Sequence, residues 1–139
     1  MRDHELSYRH HKWGWNCPAV DVDSVLCEYS GGVPRALIEY TYGKYGIEQG
    51  RDHDSANYRA LSALARGCDI PFFECVYLKY PWLFRLTPVT EQAKVILPEP
   101  RTFNEMDFVK FQYWLRRMPM SQEIKDEIAK LPQDGPYYE

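Results

Sequence analysis

Residues 17–44 read CPAVDVDSVLCEYSGGVPRALIEYTYGK, and no other stretch restricts the fold as strongly. Val20, Val22 and Ser24 alternate with Asp21, Asp23 and Val25, the period of two that a strand imposes. Gly31-Gly32 supplies the positive φ that a tight turn wants, and Ala36 to Tyr42 is strand-like again. The stretch therefore predicts a β-hairpin. On such strands Asp21 and Asp23 share one face, and Glu39 shares a face with Thr41. Paired strands lie ~4.8 Å apart, so either aspartate can approach Glu39 closely.

Around the hairpin the pattern alternates helix and strand. A short helix is expected near Glu5 to Lys12, although few apolar positions set its face. SANYRALSALARG predicts a helix with Ser55 as N-cap, Gly67 at its C-cap and a stripe of Tyr58, Leu61, Leu64 and Ala65. IPFFECVYLKY and WLFRLTPV read as a second pair of strands, Glu91 to Leu97 as a short helix and LPEPR as a stiff connector. Asn104 opens a helix to about Met118 that is apolar around most of its axis, which predicts burial on more than one side. Ser121 caps a last amphipathic helix carrying Ile124, Ile128 and Leu131, and QDGPYYE reads as a frayed tail. The fold class is α/β or α+β, a mixed central sheet of about four strands flanked by helices with a helical C-terminus. Residues 1–118 are expected to form the domain, with 119–139 packed on it or extending from it.

Composition excludes several function classes. The chain has 139 residues, 45% apolar and 27% charged, which is one globular domain and not a disordered or repetitive one. No run approaches the ~20 apolar residues of a membrane helix, and the polar start MRDHELSYRHH lacks a secretory signal, so the expected location is cytoplasmic. A formal net charge of -3 confines any nucleic-acid contact to local patches. Cys17, Cys27, Cys68 and Cys75 lack zinc-finger spacing and are expected to be reduced and buried. No phosphate-binding glycine loop or serine nucleophile elbow occurs.

The chemistry is expected on the hairpin. Clustered carboxylates repel, and a divalent cation relieves them; hard oxygen donors suit Mg²⁺ or Mn²⁺. Such an ion can polarise a phosphodiester and activate water. A solvated sheet face is the ordinary fate of paired aspartates. Glu39 argues otherwise, because Ala36, Leu37, Ile38 and Tyr40 enclose it and a lone charge in such a run is costly unless paired or used.

Asp21-x-Asp23, the short hairpin and the strand bearing Glu39 together resemble the core of the PD-(D/E)XK nuclease superfamily, whose fold is restriction-endonuclease-like. The run is similar to small phage and bacterial members, with Cys-Pro-x-x-Asp-x-Asp and Ala-Leu-Ile-Glu-Tyr-Lys segments, and the resemblance extends over roughly residues 8–118. It implies metal-dependent hydrolysis of DNA or RNA, with Asp21, Asp23 and Glu39 as catalytic carboxylates holding Mg²⁺ or Mn²⁺; Glu5 is a candidate extra ligand by its place in the chain alone. It also implies a lysine two residues after Glu39, where this chain has Thr41; Lys44 is the migrated substitute if the backbone bends at Gly43. Two readings stay open: an active nuclease, with a homodimer as one option, or a degenerate nuclease fold. The degenerate form would be a phage-encoded protein that needs no metal and binds a host protein or nucleic-acid machine, such as a polymerase or defence complex.

Arg9, His10 and Lys12 near the N-terminus, and Arg51 and Arg59 around the first long helix, are candidates for gripping phosphates. Phe111, Trp114, Arg116 and Arg117 on the aromatic helix are candidates for a protein partner, being residue types enriched at contacts. Each set also has a bland reading, as solvated surface or as core packing.

Overall fold

A computed structural model describes residues 4–13, 22–28 and 30–135. After α1 (His4–Lys12) come β1 (Ser24–Cys27), β2 (Pro34–Tyr42), α2 (Ala56–Gly67), β3 (Phe72–Leu78), β4 (Leu83–Pro88), α3 (Glu91–Ile96), β5 (Arg101–Asn104), α4 (Glu105–Leu115) and α5 (Gln122–Ala129). The strands form one mixed sheet in the order β1-β2-β3-β4-β5. β2 and β3 run parallel, joined through α2, and the other neighbours are antiparallel.

The expected hairpin is present. Gly32 takes φ +62°, and its N–H donates to the Glu28 carbonyl at 2.9 Å, closing the turn between β1 and β2. The first strand is shorter than its alternation suggests: Val22 and Asp23 precede β1, and Asp21 lies outside the described residues. Asp23 therefore reaches its partners from the approach to a strand and not from within one.

The sheet has five strands where about four were expected. β5 pairs with β4 from Leu83↔Asn104 to Leu86↔Arg101. It has four residues with only Phe103 buried, so no alternation marks it and its pairing is non-local. The caps follow the sequence more closely: Ser55, Asn104 and Ser121 accept from the N–H groups of Tyr58, Asp107 and Ile124. Gly67, however, ends α2 in helical conformation, and the left-handed residue beyond it is Asp69 at φ +57°.

Strand periodicity splits the core in two. Leu37 and Phe72 face α2, where they meet Tyr58, Leu61 and Ala65. Ile38, Phe73, Cys75, Phe84, Leu86, Phe103 and Phe108 form the larger cluster on the opposite face. Phe84 stacks on Phe108 at 4.3 Å between ring centroids, and Trp82 stacks on Phe84, so much of the aromatic content is spent on packing. α4 is not buried all round: Phe108 and Leu115 are buried, but Trp114 is 62% exposed. Of the described cysteines only Cys75 is buried, correcting the expectation for Cys27 and Cys68. Gln133 anchors the segment after α5 by accepting from Trp82 N and donating to Glu105, so the tail is held at least that far. Among the described residues no helix is long and apolar enough to cross a membrane.

Phe108 joins α4 to the sheet. Phe108→Ala is expected to lower unfolding free energy by about 3–5 kcal/mol in urea titrations. A loss well under 1 kcal/mol would contradict its place in the core.

Candidate functional site

The parallel register of β2 and β3 pairs Glu39 with Glu74. Both side chains stand on the α2 face, because Leu37 and Phe72, two residues earlier on each strand, pack there. Thr41 continues that face on β2. Two acids lie side by side on a half-covered sheet, and the structure treats them differently.

Glu74 is 2% exposed and fully engaged. The loop between β2 and α2 folds back over it: Arg51 N donates to Oε2 at 2.7 Å, and His53 Nε2 stands 3.0 Å from Oε1. Tyr58 donates its hydroxyl to Oε2 at 3.1 Å from the first turn of α2. Burial and the Glu74 charge raise the Tyr58 pKa well above the usual tyrosine range. The loop approaches so closely that a Cβ on Gly50 would lie 3.1 Å from Glu74 Oε1. Gly50 thus permits the Arg51 N–H to reach the carboxylate.

Glu39 is partly buried and faces Asp23. Asp23 N donates to Glu39 Oε1 at 3.0 Å, and Tyr40 N donates to Asp23 Oδ2 at 2.9 Å. Desolvation pushes Glu39 from the ordinary 4.5 up to about 7, and the charge and side-chain hydrogen bond of Asp23 push the same way. The backbone hydrogen bond from Asp23 and the charge of Arg51 act in the opposite sense. Arg51 Nε donates to Thr41 Oγ1 at 3.2 Å, which fixes its guanidinium on this face. Beside it lies an open cleft of about 450 Å³ lined by Thr41, Gly50, Arg51, Asp52, Asn57 and Tyr58.

The structure therefore brings together Asp23, Glu39 and Arg51 of the expected residues. Asp21 and the side chain of His10 lie outside the described residues. Lys44 follows the end of β2, exposed, with its ammonium 5.5 Å from the Tyr45 ring centroid. The chain does turn at Gly43, where a Cβ would meet the Gly46 carbonyl at 2.8 Å. Arg9 and Lys12 are exposed on α1, and Lys12 lies over the Tyr8 ring. Arg59 is exposed on α2 and borders a separate shallow cleft with His53 and Arg66. Glu5 is exposed on α1.

Of the partner candidates, Phe111 packs into the larger core cluster and stacks under Trp114. Arg116 lies over the Tyr113 ring, and Arg117 is exposed with φ +58°. Trp114 and Arg117 border a larger cleft of about 760 Å³ with Arg35 and Ile70. That cleft is larger than the one beside Arg51 but holds no carboxylate pair. The Asp23–Glu39 pair lies nearer the smaller one, whose lining includes Thr41 on the Glu39 face of β2.

Sequence reasoning missed Glu74 and Tyr58. The signal was present: Glu74 is a lone acid within PFFECVYL, the same argument that singles out Glu39. Among the described residues no three His, Cys, Asp or Glu side chains meet as a metal-binding set. Asp23 and Glu39 nonetheless fit Mg²⁺ or Mn²⁺. They are hard oxygen donors, and such ions bind through one or two carboxylates with water and substrate oxygens completing the shell.

No protein-family model, curated protein or solved structure matches the chain.

Because Glu39 sits above its ordinary value, its ionisation opposes folding, and stability falls as pH rises from about 4.5 to about 7. Glu39→Gln removes that cost. The variant is expected to exceed the parent by about 1 kcal/mol at pH 8, allowing for partial exposure, and to match it below about pH 4. Urea unfolding at the two pH values checks this, and a variant less stable at pH 8 would contradict the environment described.

Proposed function

We propose that the chain is a metal-dependent nuclease of the PD-(D/E)XK type, acting on DNA or RNA in the cytoplasm. The reading rests on one observation above the others: carboxylates from the approach to β1 and from β2, Asp23 and Glu39, converge at one place. A carboxylate held near neutrality by burial and a like charge is relieved by a cation. The five-stranded mixed sheet, with the acids on the α2 face, is compatible with the resemblance that the hairpin motif carries.

In this mechanism Asp23 and Glu39 would hold Mg²⁺ or Mn²⁺. Bound there, the ion supplies Lewis acidity at the scissile phosphate. The Asp23 main-chain N–H fixes the Glu39 carboxylate, and Tyr40 N fixes Asp23. The neighbouring cleft leaves room for the sugar-phosphate backbone. Water adds across a P–O bond, giving a phosphomonoester and an alcohol, with no change of oxidation state.

A second reading is favoured by Thr41, a neutral hydroxyl where the resemblance implies lysine, and by Trp114, 62% exposed at the rim of the larger cleft. It is a degenerate nuclease fold that binds a host protein or nucleic-acid machine and needs no metal.

Incubation with single- and double-stranded DNA and RNA in Mg²⁺ or Mn²⁺ separates the two. Cutting that is lost by at least about 100-fold in Glu39→Ala is the expected result. Absence of cutting on all four substrates would overturn the nuclease and leave the binder.

A further inference from the structure

The site has an excess of negative charge. Asp23, Glu39 and Glu74 all lie on or against one sheet face, and a phosphodiester brings a further negative charge to it. Hydrolysis adds charge to the phosphoryl oxygens in the transition state, so such a site needs a fixed cation besides any metal. Thr41 has the position on β2 from which a side chain shares the face of Glu39, but a hydroxyl carries no charge.

Arg51 meets the requirement. Its side chain is tied to Thr41 through Nε, and it lines the open cleft beside the carboxylates. Its backbone is not left to the loop. The N–H of Arg51 donates to Glu74, a carboxylate 2% exposed that also holds His53 and Tyr58. Gly50 allows the close approach. The buried acid, satisfied by three partners in one loop and its following helix, ties that loop to β3.

The geometry points to Arg51 as the catalytic cation of this site, the group that contacts the phosphate opposite Asp23 and Glu39, with Glu74 as the positioning residue behind it. The inference rests on the nuclease reading and deepens it. It places the missing positive charge on a loop, delivered to β2 through Thr41, and not on the strand itself. A planar guanidinium suits the role, since it can bind two phosphate oxygens while Nε stays on Thr41.

The test uses the full chain and five variants: Arg51→Ala, Arg51→Gln, Thr41→Lys with Arg51→Ala, Glu74→Ala, and Glu74→Ala with Arg51→Ala. Arg51 is exposed, so its replacement leaves the fold intact. Cutting is expected to fall about 100-fold in Arg51→Ala, and to recover by about tenfold or more when Thr41→Lys is added on the same face. The Glu74 double variant is expected to cut no more slowly than Arg51→Ala alone, because Glu74 acts through Arg51; independent, additive losses would refute the positioning role.

A second readout does not need cutting. Mn²⁺ affinity, followed by electron paramagnetic resonance, is expected to tighten about fivefold in Arg51→Gln as the opposing charge is removed. Wild-type cutting that survives Arg51→Ala overturns the inference and leaves the nuclease standing. A wild type that is inactive while Thr41→Lys with Arg51→Ala cuts also overturns it, because the charge was then missing. If no form cuts, the nuclease reading fails, and unchanged Mn²⁺ affinity in Arg51→Gln rejects Arg51 as a charge of this site; tightening keeps it there.

Discussion

Parallel pairing of β2 with β3 puts Glu39 in register with Glu74, and the candidate site is organised around that pairing. Two carboxylates side by side on one sheet face cannot share the same solution. Glu74 is withdrawn from water and satisfied by a backbone N–H, a histidine and a tyrosine hydroxyl. Glu39 remains nearer the surface, yet burial, and after it the charge of Asp23, raises its proton affinity. One acid is thus fully satisfied by the protein and the other is left beside a like charge, although they occupy equivalent places on neighbouring strands.

The surrounding fold supports that division. α2 closes the face through Leu61 and Ala65 and sends Tyr58 to Glu74 from its first turn. The loop ahead of α2 is long enough to fold back, and Gly50 lets it touch the carboxylate. On the other face the stacked rings of Trp82, Phe84 and Phe108 hold β4 and α4 together, so the sheet is anchored independently of the site.

Much of this was legible in the residues. Gly31-Gly32 and the strand-like run from Ala36 to Tyr42 located the hairpin, and Ser55, Asn104 and Ser121 located the helix starts, because those signals are local. β5 was not legible, since four residues with one buried ring acquire meaning only from β4. Nor was the shortening of β1, where Asp23 belongs to the approach and not to the strand. In the site, Asp23 and Glu39 were found by pattern. Glu74 was marked as a lone acid in an apolar run, but its register with Glu39 follows from a parallel crossover that local periodicity does not specify. Arg51 was visible as a basic residue near a helix, but its approach to Thr41 depends on a loop whose path is set by Glu74.

The account stands on Asp23 and Glu39 sharing one partly desolvated place. Site-resolved carboxyl carbon NMR of Glu39, followed through a pH titration, measures this directly. The account predicts a midpoint near 7 that moves down toward 4.5 in Asp23→Asn. A midpoint already near 4.5 in the parent, indifferent to Asp23, would contradict it.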